Sequence, residues 1–316
     1  MCVSFLYLNP AASCAGEWQL ILINNRDEGV HRPSKQAEWT EDALYGMDLT
    51  EGKEGGTWLG ISKTGRLCNL LNLPSVHPQN GMQLKSRGFV CVDFLASNCS
   101  AEDYARTLSK HGKEYAGFNC VLLERKKNSN LEGQGNVWQL CFCTNGAPEN
   151  EKSMEVLEPG IYGFGNSPRN RPLLKVQHGL RRFQQTLLSY QSSHATVTNS
   201  SNNTMGENSQ ESPAVAGLQG HLLDILKDNS KHFPDPELDI QYSGQDSETK
   251  KILSSLFVES PQHCTRTHTV ILVDWRDKVT FLEETLIELG TQASSAKWQT
   301  KTFEFQLDPW ERTFRI

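Results

Sequence analysis

The chain has no long apolar run. Its longest are strand-sized, such as Val270-Ile271-Leu272-Val273, against the roughly 20 apolar residues that a membrane-crossing helix needs. No secretory leader is expected either, since the first residues carry no positive region and Asn9-Pro10 interrupts the apolar stretch early. There is no basic block, and a formal net charge of −6 argues against nucleic acid as the main partner. CxxC pairs, zinc-like spacings, HExxH and CxxCH are absent, so neither a structural or catalytic metal nor covalently attached haem is expected.

The nine cysteines, at 2, 14, 68, 91, 99, 120, 141, 143 and 264, form an odd and scattered set. With no leader expected, this reads as reduced thiols in an intracellular, cytoplasmic compartment. Cys141 and Cys143 fall on one face of an expected strand and read as core residues. At 316 residues and 37% hydrophobic content the composition is that of a globular protein, and length alone does not separate one large domain from two small ones.

Two features stand out at the amino terminus. Cys2 lies directly behind Met1, and Asn25-Arg26-Asp27-Glu28 follows the second hydrophobic segment. If Met1 is trimmed, Cys2 gains a free α-amine and carries nucleophile and base together, the amine having an ordinary pKa of roughly 7.7–8.0. N-terminal threonine enzymes use the same economy of parts.

Apolar patterning predicts strands at 2–8, 17–24, 57–62, 66–72, 118–124, 137–143, 268–274, 278–284 and 302–307. It predicts helices at 101–112, 173–190, 217–229 and 247–257. Ser100 and Asp103 open the first at capping-box spacing, and Leu173, Val176, Leu180, Phe183 and Leu187 make one stripe on the second. Hairpin-like strands without a strict βαβα alternation point to an α+β fold with helices layered on sheets. Residues 191–216 are rich in Ser, Asn, Thr and Gln and are expected to be a disordered insertion within a single domain spanning 1–316.

Six segments carry a family resemblance. They are the Met-Cys start, Ile23–Glu28, Arg32-Pro33-Ser34, the string from Glu51 to Ile61 (EGKEGGTWLGI), Tyr162–Asn166 and Thr265–Thr269. Together they closely resemble the NRDE family, the family of Transport and Golgi organisation proteins, from residue 1 to about 307. The resemblance implies a four-layer αββα sandwich of the N-terminal-nucleophile type. It also implies a role in Golgi organisation and protein secretion and in intracellular haem trafficking, with localisation in the cytoplasm, at mitochondria or at the Golgi through peripheral association. Haem would then be cargo rather than a resident cofactor.

A more distant likeness is to cysteine N-terminal-nucleophile hydrolases of bile-salt and penicillin-type amides. It gives the alternative function, an amidohydrolase or acyltransferase acting on a small acyl amide or thioester. In that reading Cys2 attacks the carbonyl, and Arg26 lowers the thiol pKa. Asp27 holds the ammonium or the arginine, and Asn72 and Asn166 stabilise the oxyanion. Arg26 and Asp27 are adjacent here, and neighbours on a strand face opposite ways, so either a turn lies between them or only one enters the site. Arg266 is the candidate for an anionic group. In the haem reading Cys2, His31, His77 or His268 would be axial ligands, and Arg32 or Arg266 would meet a propionate. A third reading is a scaffold with no small-molecule site. Gly55-Gly56 and Gly163–Gly165 read as tight turns, and Trp58 as core.

Overall fold

The computed structural model describes residues 1–74, 84–127, 136–147, 151–200, 213–290 and 296–309. Two antiparallel sheets form its centre. The first takes β1 (Val3–Leu8), β2 (Trp18–Gly29), β10 (Gly160–Phe164), β11 (His263–Asp274), β12 (Lys278–Glu288) and β13 (Lys297–Gln306), in the order β10-β1-β2-β11-β12-β13. The second runs in chain order through β3 (Ser34–Thr40), β4 (Ala43–Asp48), β5 (Leu59–Ser62), β6 (Arg66–Asn72), β7 (Phe118–Lys127), β8 (Asn136–Thr144) and β9 (Met154–Leu157).

Alternation along the strands builds three apolar layers. In β2, Leu20 and Leu22 face between the sheets and meet Leu67, Leu71 and Val121 of the second sheet. Ile21 and Ile23 face the other way, toward α3 (Leu174–Ser200), α4 (Pro213–Leu226), α5 (Pro236–Gln241) and α6 (Ser247–Leu253). The outer face of the second sheet is covered by α1 (Gly88–Ala96) and α2 (Ala101–Lys110) through Cys91, Phe94, Leu95 and Leu108. Each such side chain contributes about 1.5–3 kcal/mol on burial. The layer order is therefore helix, sheet, sheet, helix, the four-layer αββα sandwich that the family resemblance implies. At Gly179 in α3 an added Cβ would lie 2.2 Å from Phe5 Cζ, so the missing side chain sets how closely the helix approaches β1.

The structure departs from the sequence expectations in two places that matter. Residues 191–200, expected to be disordered, continue α3, and 213–216 open α4, while 201–212 lie outside the described residues. A helix already nucleated by an apolar stripe extends at one hydrogen bond per added residue and needs no further burial. The Ser192 and Ser193 hydroxyls bond back to the carbonyls of Leu188 and Ser189. The second departure is that β2 does not stop at residue 24. It runs to Gly29, so Asn25-Arg26-Asp27-Glu28 is itself strand, paired with β11.

Candidate functional site

β1 enters the first sheet between β2 and β10, so its start brings Met1 and Cys2 to an end of that sheet. Cys2 belongs to the layer between the sheets and Met1 to the layer under the helices. The Cys2 thiol lies 3.7 Å from the carbonyl oxygen of Asp27. Burial is the main cause that pushes this thiol above its ordinary pKa; the amino-terminal charge pulls the other way and does not overcome it.

The α-ammonium of Met1 is 3.3 Å from Asp27 Oδ2, and both side chains are fully buried. It also donates to His263 Nε2 at 3.0 Å. Burial first, and that ammonium second, push His263 down to about 4, so near neutral pH the imidazole is an uncharged acceptor. Lys175 of α3 donates to Met1 O at 3.2 Å and Ser255 O at 2.9 Å, with its Nζ 3.9 Å from Asp27 Oδ2. Burial pushes Lys175 down to about 8, against the pull of Asp27. Thr265 completes the group, donating to Asp27 Oδ1 at 2.6 Å.

Arg26 and Asp27 divide the two faces of β2 without a turn. Asp27 points under the helices to Lys175 and Met1, whereas Arg26 points between the sheets, its guanidinium 4.0 Å over the Trp58 ring. Trp58 is thus a partner of the site and more than core filler. Both residues border the open end of β1 and so reach the same cavity edge. Across from them, β11 carries a bulge: Thr265 pairs with Asp27 and Thr267 with Arg26, leaving Arg266 as the extra residue. Arg26 Nη1 has no hydrogen-bond partner among the described residues.

Two adjoining cavities, each about 310 Å³, share Cys2, Asp27, Glu28, Asn72 and Arg87 in their walls. Asn166 joins the wall of one, and its Nδ2 donates to Asn72 O at 2.6 Å. The other adds Arg26, Arg32, Asp48 and Trp58. Arg32 is tied to Asp48 (Nη2 to Oδ2, 2.5 Å) and Glu28 (3.2 Å). Burial pushes the Asp48 carboxyl up, but hydrogen bonds from Arg32 and Thr50 outweigh it and hold the group below its usual range. Behind this wall, Gly55 turns at φ +86°, and a Cβ on Gly56 would sit 3.1 Å from the Gly88 Cα. The glycine pair therefore serves a turn and a close approach of backbone to the start of α1.

The five proposed catalytic residues, Cys2, Arg26, Asp27, Asn72 and Asn166, thus meet around one cavity system. The proposed ligand-binding residues do not all join them. Arg32 borders the cavity. Arg266 lines neither cavity; its Nη1 donates to the carbonyls of Gly29, Val30 and Arg32 and fastens the loop after β2. His268 is fully buried under the helices, bonded through Nδ1 to Asn25 Oδ1 at 2.6 Å and stacked on Trp298 at 4.8 Å. Burial pushes it down to about 3. His31 is exposed and lines neither cavity, and His77 lies outside the described residues. Sequence reasoning missed Lys175, His263 and Arg87, whereas Glu28 stood in the motif it singled out. Lys175 was detectable in principle as a cation beside inward-facing Val176 on the helical stripe.

The class of protein is thus an αββα sandwich that gathers a near-terminal cysteine, an adjacent Arg-Asp pair and two asparagines around one cavity system. Sequence comparison gives the family: the chain matches the model for Transport and Golgi organisation 2 over residues 1–288 and belongs to that family. It is 33% identical to the Transport and Golgi organization protein 2 homolog of Bos taurus over 97% of this chain and 99% of that one. The Homo sapiens homolog is 32% identical with the same coverage. Transport and Golgi organization protein 2 of Drosophila melanogaster is 31% identical over 92% of this chain and 93% of its own. Among solved structures, the C2A mutant of conjugated bile acid hydrolase from Clostridium perfringens aligns over 97% of both chains at 10% identity and a TM-score of 0.40.

Proposed function

We propose that this chain acts in the transport and Golgi organisation for which its relatives are named through a small-molecule site at Cys2. The chemistry of that site is thiol acyl transfer, the hydrolysis of a small acyl amide or thioester or transfer of its acyl group. The observation that carries this reading is the meeting of Cys2, Asp27, Asn72 and Asn166 at one cavity, although 164 positions separate the first from the last. Trimming of Met1 exposes the Cys2 amine one residue from the ammonium that Asp27 now holds, and Asp27 takes over the new terminus. The thiol then attacks the carbonyl, its own amine takes the proton and returns it to the leaving group, and water releases the acyl group. An asparagine amide carries two donor hydrogens, so Asn166 can bond Asn72 O and still reach an oxyanion, a contact typically worth about 3–4 kcal/mol.

Haem as cargo is the second reading. What favours it is a thiol in the shared wall of two adjoining cavities with Arg32 beside it. Cys2 would be the axial ligand and Arg32 the propionate partner. With either ligand, the chain would work in the cytoplasm or in peripheral association with Golgi or mitochondrial membranes; among the described residues no helix is long and apolar enough to cross one.

The test is the intact mass of the protein purified from a eukaryotic host, followed by incubation with acyl thioesters and by titration with haem. A free Cys2 terminus that acquires an acyl mass, lost in Cys2→Ala, supports acyl transfer. Retained Met1 or an acetylated amine ends it. A Soret band that survives blocking of the amine and disappears in Cys2→Ala supports the haem reading.

A further inference from the structure

The outer face of the second sheet holds five buried cysteines that the Cys2 site does not use, Cys141 of β8 and four more that form a file. Cys68 on β6, Cys120 on β7 and Cys143 on β8 stand on one face of three neighbouring strands, with Cys91 of α1 above them. Cys120 is directly opposite Cys143 in the β7–β8 register. Cys68 Sγ lies 2.9 Å from Cys91 Sγ and 3.6 Å from Cys120 Sγ. All four are free thiols and fully buried. They run in file across the strands, and among the described residues no group of three or more His, Cys, Asp or Glu side chains is placed to hold a metal ion.

We propose that Cys68 and Cys91 are a modification site, a thiol pair that closes to a reversible disulfide on two-electron oxidation by a hydroperoxide. The two sulfurs need to approach by only about 0.9 Å to reach bonding distance. In the first step one sulfur attacks the peroxide O–O bond as its proton passes to the departing oxygen; that oxygen leaves as an alcohol, and a sulfenic acid forms. The second sulfur then attacks the sulfenic sulfur, and the hydroxyl it displaces takes up its proton and leaves as water. Two thiols lose two electrons and two protons, and one hydroperoxide becomes one alcohol and one water.

The pair also has a structural consequence. Cys91 lies on α1, whose first residue Gly88 accepts a hydrogen bond from Thr57 N at 3.1 Å, and Arg87 just before it lines both cavities at Cys2. A bond from β6 to α1 therefore fixes one wall of the Cys2 cavity system. Neither the pairing nor its chemistry depends on what that cavity binds.

The test uses the full-length reduced protein and tert-butyl hydroperoxide. Alkylation under denaturing conditions and peptide mapping are expected to show a loss of about 2 Da, the two hydrogens of one disulfide, in a peptide joining Cys68 to Cys91. Dithiothreitol should reverse it. The Cys99→Ser variant, altered at an exposed thiol, should still form the link, and Cys91→Ala should not. Cys68→Ala gives the same readout from the other side should Cys91→Ala fail to fold. Oxidation confined to Cys14 and Cys99, or a two-electron product in which Cys91 is still alkylated, overturns the proposal.

Discussion

Asp27→Asn is the sharpest perturbation of the site. It keeps the shape of the side chain and an acceptor for Thr265, but removes the negative charge that faces two buried cations. Those are the Met1 ammonium at 3.3 Å and Lys175 Nζ at 3.9 Å. Removing one partner of a buried ion pair costs roughly 3–5 kcal/mol, because the other charge is left without compensation. In the chain that carries Met1, urea unfolding at pH 7 should show a loss of that size. A second signature comes from Lys175, held at about 8 by burial while Asp27 pulls it up. Its folded value lies below the 10.5 of an ordinary lysine, so the folded chain releases this proton first as pH rises. Stability from this group is lowest while both states hold the proton, and rises between about pH 8 and 10.5. Without Asp27 the folded value falls further, and the rise should begin at lower pH. A loss below about 1 kcal/mol, the level of an exposed pair, or an unchanged onset of the rise would refute this account of the buried pair.

Two further predictions concern the layers around the site. His268 is held neutral at about 3 in the folded chain, below its ordinary 6.5, so its contribution is intact above pH 6.5 and is lost as pH falls toward 3. The slope from this one group approaches about 1.4 kcal/mol per pH unit, and His268→Gln should flatten it in urea melts at pH 4 against pH 7; equal slopes would count against the assignment. Gly179→Ala puts a Cβ 2.2 Å from Phe5 Cζ and should cost about 1–3 kcal/mol, whereas Gly217→Ala, with nothing within 4 Å, should gain up to about 1 kcal/mol. Equal effects in the two helices would show that crowding against β1 is not what selects the glycine.

The sequence reads most clearly where one face of a strand is apolar. β1, β6, β7, β8, β11 and β12 are visible as alternating or compact apolar runs. β3 and β4 are not, because β3 lies at a sheet edge with mostly half-exposed side chains and the turn after it is Glu41-Asp42. α1 hides for a different reason. Its Val90, Cys91, Phe94 and Leu95 have helical spacing, but Phe89 and Val92 fill the gaps and blur the period. The polar end of β2 gives no strand signal, since the partners of Asp27 and Asn25 in β11, in α4 and in the segment after α6 lie far along the chain. At the site, the positions of Cys2, Asp27, Asn72 and Asn166 followed from the resemblance. Those of Arg266 and His268 did not, because the face a residue takes depends on register, and Arg266 is the residue that shifts it.

β13 ends the strand order of the first sheet among the described residues. An edge of this kind leaves backbone donors and acceptors open to any extended segment, and a flat apolar edge is a template for aggregation. Here the inward row of β13 is Lys301, Phe303 and Phe305, and the lysine crosses to the carbonyl of Ala37 in the other sheet at 3.3 Å. A second strand laid along this edge would meet an inward-pointing charge in the middle of its contact. The lysine that ties the two sheets together thus also makes the edge a poor template, which favours a chain that stays dispersed when it is abundant.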